Sequence, residues 1–448
     1  MSWGFLAISI AIHLVYLSSL LTGQLNDLFH DTRYITDQGI DFFAFYQAGN
    51  NVLNGIDCYA VPDPLTVPYM FPYRYLAYFA YSFGALFNLA PPIQAYWIWV
   101  GIVLVCVWLA AIRTRSVSKT LHRKDWEWRI GASMWFVFSP IYIELYLGQV
   151  TLMAAILMFF ALTSTSLVKG QRGNWTLTAF WTMGSLMKLI PFLIAPVLVG
   201  AGRARAVLAG VLVFVIGVFA VPAGLESLEY FLGFNTPQLT QVTPYVGNHS
   251  LKMLIYYLLG EPGADFSAIT GLLFGLFFLI TFVATLYSRD LWICAGLFSI
   301  LYFFIMFDVW EHHYTFLLPL LVLAWLRGHH EDRSRWVPLI LVLVMSIPML
   351  PIVEFLSGID PVLHPINMEP IWLIVYHGSK VIPALIFYVW LYMMAFRSPR
   401  VESLEESAQE AYLLAWKNLI SGSYPRVEGG IIVQEDENTS EPTMTHDD

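Results

Sequence analysis

Long apolar runs, separated by short polar connections, repeat from Trp3 to about residue 396. A helix crosses the hydrocarbon of a bilayer with about 20 apolar residues, each rising about 1.5 Å. By that measure the runs predict spans at about 3–21, 93–112, 130–147, 150–168, 175–187, 189–200, 206–224, 268–286, 291–307, 315–326, 336–354 and 378–396. The expected fold is an all-α polytopic membrane protein of about twelve transmembrane helices, several of them short. After Arg397 the pattern stops. The tail to Asp448 is acidic and polar, with one amphipathic stretch, "VESLEESAQEAYLLAWKNLI", followed by a remainder that reads as disordered.

Lys and Arg concentrate on the cytoplasmic side of membrane proteins, so they test this division. With the N-terminus inside, eighteen of the 23 Lys and Arg residues fall in alternate connections or the tail, led by the cluster Arg113, Arg115, Lys119, Arg123, Lys124 and Arg129. The expected protein is therefore a multi-pass cell-membrane protein with both termini cytoplasmic. The same test places "YRYLAYFAYSFGALFNL", from Tyr73, as an amphipathic helix lying in the outer interface, because a span there would carry the basic cluster outside. The first outer loop then runs over about residues 22–94. Between Trp175 and Gly200 the chain must go up and come down with Lys188 near the turn, as in the broken helices that line polar cavities in membranes. Residues 1–396 are expected to form one integral membrane unit and 397–448 a cytoplasmic tail.

Composition agrees: 58% of residues are hydrophobic and 12% charged, against about 25% charged in soluble domains. A net charge of −9 without a basic stripe argues against nucleic acid as a partner. Three cysteines, with Cys106 and Cys294 inside apolar runs and Cys58 in the first loop, make no disulfide framework. The opening MSWGF has no basic region and no small-residue cleavage pattern follows Leu21, so the first span is expected to be retained.

Once direction is set, the unusual polar residues gather at one end of the spans: Asp41, Glu144, Gly148–Gln149, Lys188, Asn248–His249, Asp308, Glu311 and His312–His313. In "DFFAFYQAGNN", Asp41 stands with Tyr46, Gln47 and Asn50. A carboxylate at the lipid boundary is partly desolvated, which makes it a better proton acceptor for a hydroxyl. The alternative, a solvated loop acid, suits Asp37 and stays open for Asp41. Lys188 interrupts an apolar run, where a lysine costs roughly 2.5–3.5 kcal/mol at a span centre. An ammonium there, near the outer face, suits the phosphate of a lipid carrier as a compact positive charge against phosphoryl oxygens; the plainer reading is a lysine snorkelling to the outer headgroups.

In "DVWEHHY", adjacent histidines on a helix cannot face one point and HExxH spacing is absent, so a metal site is not expected. One imidazole is expected to donate to a phosphate or sugar oxygen while the other packs or faces headgroups. The Gly148–Gln149 turn, with Glu144 one turn earlier, offers a side-chain amide to sugar hydroxyls, and "GNHSLKM" supplies Asn248, His249 and Lys252. That segment also contains an N-x-S sequon.

In chain order, "DFFAFYQA" with Asp41, "GIDCY", "FPYRY", "GQV" with Gln149, "KLIP" with Lys188 and "WEHHY" with His312 resemble the motifs of glycosyltransferase family 87, membrane transferases of the GT-C fold that use polyprenyl-phosphate sugars. Two features depart from that pattern. Tyr73 is followed by Arg74 and Tyr75 in place of a Y-P-P-like pair, and Val150–Thr151 stands where an amide often follows the G-Q turn. The resemblance implies transfer of one sugar, mannose or a related monosaccharide, from a polyprenyl-phosphate donor to an acceptor hydroxyl of a lipid or glycan on the outer face. It also implies inversion, without metal or other cofactor. Asp41 is then the general base. Lys188, His312 and Arg74 hold the donor phosphate, and Gln149, Glu144, Tyr46, Asn248, His249, Glu311 and His313 contact sugar or acceptor.

A transporter or lipid flippase could use the same residues, but transporters favour midplane ionisable groups and internal repeats; no repeat is visible here, and these groups sit at one face. A scaffold subunit predicts no convergent cavity.

Overall fold

The computed structural model describes residues 2–29, 32, 38–69, 71–168, 170–222, 224–236, 247–259, 267–288, 290–306, 308–328, 333–360 and 368–397, together with 416, 426–428 and 431–433. Asp37 and most of the tail, including the stretch expected to be an amphipathic helix, lie outside them.

Helix α1 (Ser2–Thr22) is followed by α2 (Ile40–Leu53) and by α3 (Ala77–Phe87), which holds a π-helical turn at Ala80–Gly84. Next come α4 (Pro92–Thr120), α5 (Asp125–Val137), α6 (Pro140–Leu147), α7 (Thr151–Leu167) and α8 (Gly170–Met187). Helix α9 (Ile190–Gly200) opens with a 3₁₀ turn and leads to α10 (Ala204–Phe219), α11 (Gly224–Asn235) and α12 (Leu251–Leu259). Two apolar helices, α13 (Ser267–Tyr287) and α14 (Leu291–Ile305), precede a 3₁₀ segment at Glu311–Leu317 that runs directly into α15 (Leu318–Arg327). The chain then forms α16 (Val337–Met345), α17 (Met349–Ser357) and the long α18 (Pro370–Arg397). Helices α7 and α8 pack side by side, α1 lies on α5, and α14 is flanked by α13 and α18.

Among the described residues three continuous helices, α1, α4 and α18, are long and apolar enough to cross a membrane, and three bent pairs reach that length jointly. The run expected as one span at 130–147 is such a pair, α5 and α6, bent 44°; the run at 336–354 is another, bent 64° between α16 and α17. Both bends sit at prolines, Pro140 and Pro348, which lack an N–H and so release upstream carbonyls. Side chains reach carbonyls left open at both breaks. Tyr142 Oη donates to Phe136 O at 2.7 Å, and Lys380 Nζ donates to Met345 O and, at 3.1 Å, to Ile347 O. Inside a membrane a freed carbonyl needs such a partner.

Helix α18 starts at Pro370, upstream of the expected 378; His377, just before that boundary, and Lys380, inside the expected span, are buried and hydrogen-bonded within the protein. The break at Lys188 stands where expected, between α8 and α9.

Part of the tail departs from the expected disorder: Arg426–Glu428 and Ile431–Val433 pair antiparallel, with Val427 opposite Ile432. β-branched residues on both sides of a Gly-Gly dipeptide favour a hairpin. Ile431 bridges to Asp290, the residue whose carboxylate caps α14 by accepting from the Trp292 and Ile293 amides. The Asp290 carboxylate also accepts from Arg327 Nε at 2.7 Å.

Candidate active site

Two glycines set the frame. Gly39, at φ +82°, turns the chain into α2, and its amide donates to Tyr146 O at 2.7 Å. That places Asp41 in the first turn of α2, where the helix dipole favours a carboxylate. Gly148, at φ +71°, ends α6 against Phe42, so closely that a methyl group would stand 2.5 Å from the Phe42 Cβ. This contact brings Gln149 beneath α2. The Gln149 Oε1 accepts from Tyr75 Oη at 3.1 Å.

At the end of α8, Lys188 Nζ donates to Thr151 Oγ1 at 2.9 Å and lies 3.2 Å from His313 Nε2. On the other side of that ring, Nδ1 is 3.2 Å from the Trp310 amide and 3.1 Å from Tyr302 Oη. Arg74 lies between the rings of Phe71 and Phe234, 4.6 Å from each centroid, an arrangement that suits a planar guanidinium. Asp308 faces this region from the segment before the 3₁₀ turn. Burial raises its carboxyl above the ordinary aspartate range, and the Arg74 charge opposes that rise.

One cavity of about 470 Å³ joins these groups: Asp41, Arg74, Gln149, Lys188, His312 and His313 all line it. Leu193, Phe231, Ile305 and Met306 add an apolar wall. The two histidines, expected to divide their roles, both line the cavity with ring centroids 4.3 Å apart. They sit on a tight 3₁₀ turn and not on an α-helix.

The other expected contacts lie outside the lining. Tyr46 Oη donates to Ala90 O at 2.9 Å. Glu144 is buried; its Oε1 accepts from the Leu152 amide at 2.9 Å, capping α7, and from Thr315 Oγ1 at 3.1 Å. Asn248 bridges to Trp310, and its carbonyl accepts from His377 Nδ1 at 2.6 Å. His249 packs on Tyr376 and His377, and Glu311 pairs with Lys380 at 2.7 Å. These residues brace the segments that carry the cavity.

Sequence reasoning gave no role to Thr151, Tyr75 and Tyr302. The one signal for Thr151 was its place after the G-Q turn, where a hydroxyl stands for an amide; here that hydroxyl holds Lys188. Among the described residues no three His, Cys, Asp or Glu side chains converge as metal ligands.

A family model, glycosyltransferase family 87, matches residues 78–307, just over half of the chain. The chain belongs to glycosyltransferase family 87. As a family 87 protein with several long apolar helices it is a membrane glycosyltransferase. The matched stretch contains Gln149, Lys188 and Tyr302, whereas Asp41, Arg74, His312 and His313 lie beyond its ends and join it through the cavity. No curated protein matches the chain.

Proposed function

We propose that this family 87 protein moves a single sugar, mannose or a related hexose, from a polyprenyl-phosphate donor to an acceptor hydroxyl at the outer face of the membrane, with inversion. The observation that carries the reading is the lining of one cavity by Asp41, Lys188, His312 and Arg74 beside an apolar wall. A lipid phosphate needs donors at the membrane edge and a dry path for its chain, and the acceptor hydroxyl needs a base.

In the proposed step Asp41 accepts the proton of the acceptor hydroxyl while its oxygen bonds to the anomeric carbon. The bond from that carbon to the phosphate oxygen breaks on the opposite face, and the polyprenyl phosphate leaves with the electron pair. Lys188, His312 and Arg74 donate to the phosphoryl oxygens as their charge grows, which stabilises the transition state more than the bound donor. The Gln149 amide, held through its oxygen by Tyr75, has its nitrogen available for a sugar hydroxyl. Both termini are cytoplasmic in this reading.

The test incubates the purified protein in lipid nanodiscs with radiolabelled polyprenyl-phosphate hexoses and a membrane lipid extract. Label transferred to a new lipid or glycan, and lost in Asp41→Asn, is the expected result. No transfer from any polyprenyl-phosphate sugar, with nucleotide sugars accepted instead, would overturn the donor assignment.

A further inference from the structure

The hydrogen bonds around His313 fix where its proton sits. The Trp310 backbone amide can only donate, and its N lies 3.2 Å from His313 Nδ1, with Tyr302 Oη 3.1 Å from the same atom. Nδ1 therefore carries a lone pair, and a neutral imidazole with Nδ1 bare holds its hydrogen on Nε2. That Nε2–H lies 3.2 Å from Lys188 Nζ. An ammonium has donors alone, so two donors would face each other across this contact. It closes as a hydrogen bond when Nζ is an amine, accepting from His313 through its lone pair and donating to Thr151 Oγ1.

We infer that Lys188 is an uncharged amine before the donor binds, and that a phosphate anion and one proton enter together, converting it to an ammonium. This rests on the phosphate-binding reading of the site above. The charge balance around Nζ suits such a switch. Glu144 from α6, Asp41 from α2 and Asp308 from the segment before the 3₁₀ turn favour the ammonium electrostatically, while its enclosure and the His313 N–H oppose it; Arg74 and His312 line the same cavity. Enclosure makes an ammonium costly unless an anion contacts it directly. Once a phosphoryl oxygen lies between Nζ and Nε2, both donors converge on it as charge-assisted hydrogen bonds. A lysine that stays uncharged until the anion arrives reserves its charge for the bound state.

Calorimetric titration with polyprenyl methyl phosphate, a phosphodiester that does not itself titrate near neutrality, tests the inference. The protein is held in nanodiscs, and heats are compared at pH 8 in buffers of contrasting ionisation enthalpy. The expected result is uptake of close to one proton per site, with affinity falling by up to about tenfold per pH unit on the alkaline side. Lys188→Arg, whose side chain stays charged, is expected to bind the diester without proton uptake. Binding to the wild-type protein with no net uptake would overturn this inference and leave the phosphate-site reading standing. Uptake undiminished in Lys188→Arg would also overturn it, assigning the proton to another group. No binding of the diester at all would overturn the phosphate-site reading and this inference with it.

Discussion

Lys380 Nζ stands 2.7 Å from Glu311 Oε1, and both side chains are buried. The pair ties the middle of α18 to the first residue of the 3₁₀ turn that carries His312 and His313. Through Met345 O and Ile347 O the same ammonium also closes the break between α16 and α17. One lysine thus holds three segments.

Lys380→Met should therefore destabilise the protein by about 3–5 kcal/mol, because it leaves the Glu311 carboxylate buried without its cation. The combined variant Lys380→Met with Glu311→Gln should recover a large part of that loss. Thermal unfolding in a fixed detergent measures both. Equal losses in the single and double variants would show that the pair does not act as a unit.

Asp41→Asn keeps the shape of the side chain and removes its ability to take a proton. Transfer should fall by about 10²–10⁴-fold, the range of general-base catalysis, while donor binding and melting temperature stay near wild type. Steady-state transfer alongside a donor-binding titration checks this, and a variant with normal turnover would exclude Asp41 as the base.

Arg74 is placed by two rings, so Arg74→Lys keeps the charge and loses the stacking. Donor KM should rise roughly 2- to 30-fold, matching about 0.5–2 kcal/mol of cation–π energy. kcat should change less. An unaltered KM would remove Arg74 from donor binding.

Gly49 on α2 and Gly84 on α3 cross backbone to backbone. A methyl group on Gly49 would stand 2.0 Å from the Gly84 carbonyl carbon. Gly49→Ala must push α3 away and with it Tyr78 and Phe79, which line the cavity. A stability loss of about 1–3 kcal/mol, typical of overpacking, should accompany reduced transfer; chemical denaturation and an activity assay read the two effects.

Cys58 is 5% exposed, and burial, reinforced by the Asp57 carboxylate, pushes its thiol up to about 12 from 9.0. A raised thiol pKa keeps the reactive thiolate scarce throughout the neutral and mildly alkaline range. Alkylation in the folded protein should be very slow at pH 8 and should still be rising with pH beyond 9, where an ordinary thiol levels off. Mass spectrometry after iodoacetamide treatment, with and without denaturant, measures the contrast.

Several features are legible in the sequence alone: the apolar runs, the break at Lys188 and the gathering of Asp41, Gln149, Lys188 and His312, which line one cavity. Hydropathy encodes the first, because spans must bury about 20 apolar residues. The isolated polar positions stand out because a membrane makes each one costly. The bends at Pro140 and Pro348 were less legible, since a run of apolar residues has the same hydropathy whether straight or broken.

What the tertiary structure decided was which polar residues meet. Glu144, Gln149, Glu311 and His312 look alike in a list of polar residues near helix ends, yet Gln149 and His312 line the cavity while Glu144 caps α7 and Glu311 pairs with Lys380. The sequence by itself determined that these groups are few and sit in an apolar chain. Their partners lie 69 residues away in the case of Glu311 and 171 in the case of Glu144 and Thr315. Hydrogen bonds and ion pairs act over about 3 Å, so their pairing follows from how the helices pack and not from spacing along the chain.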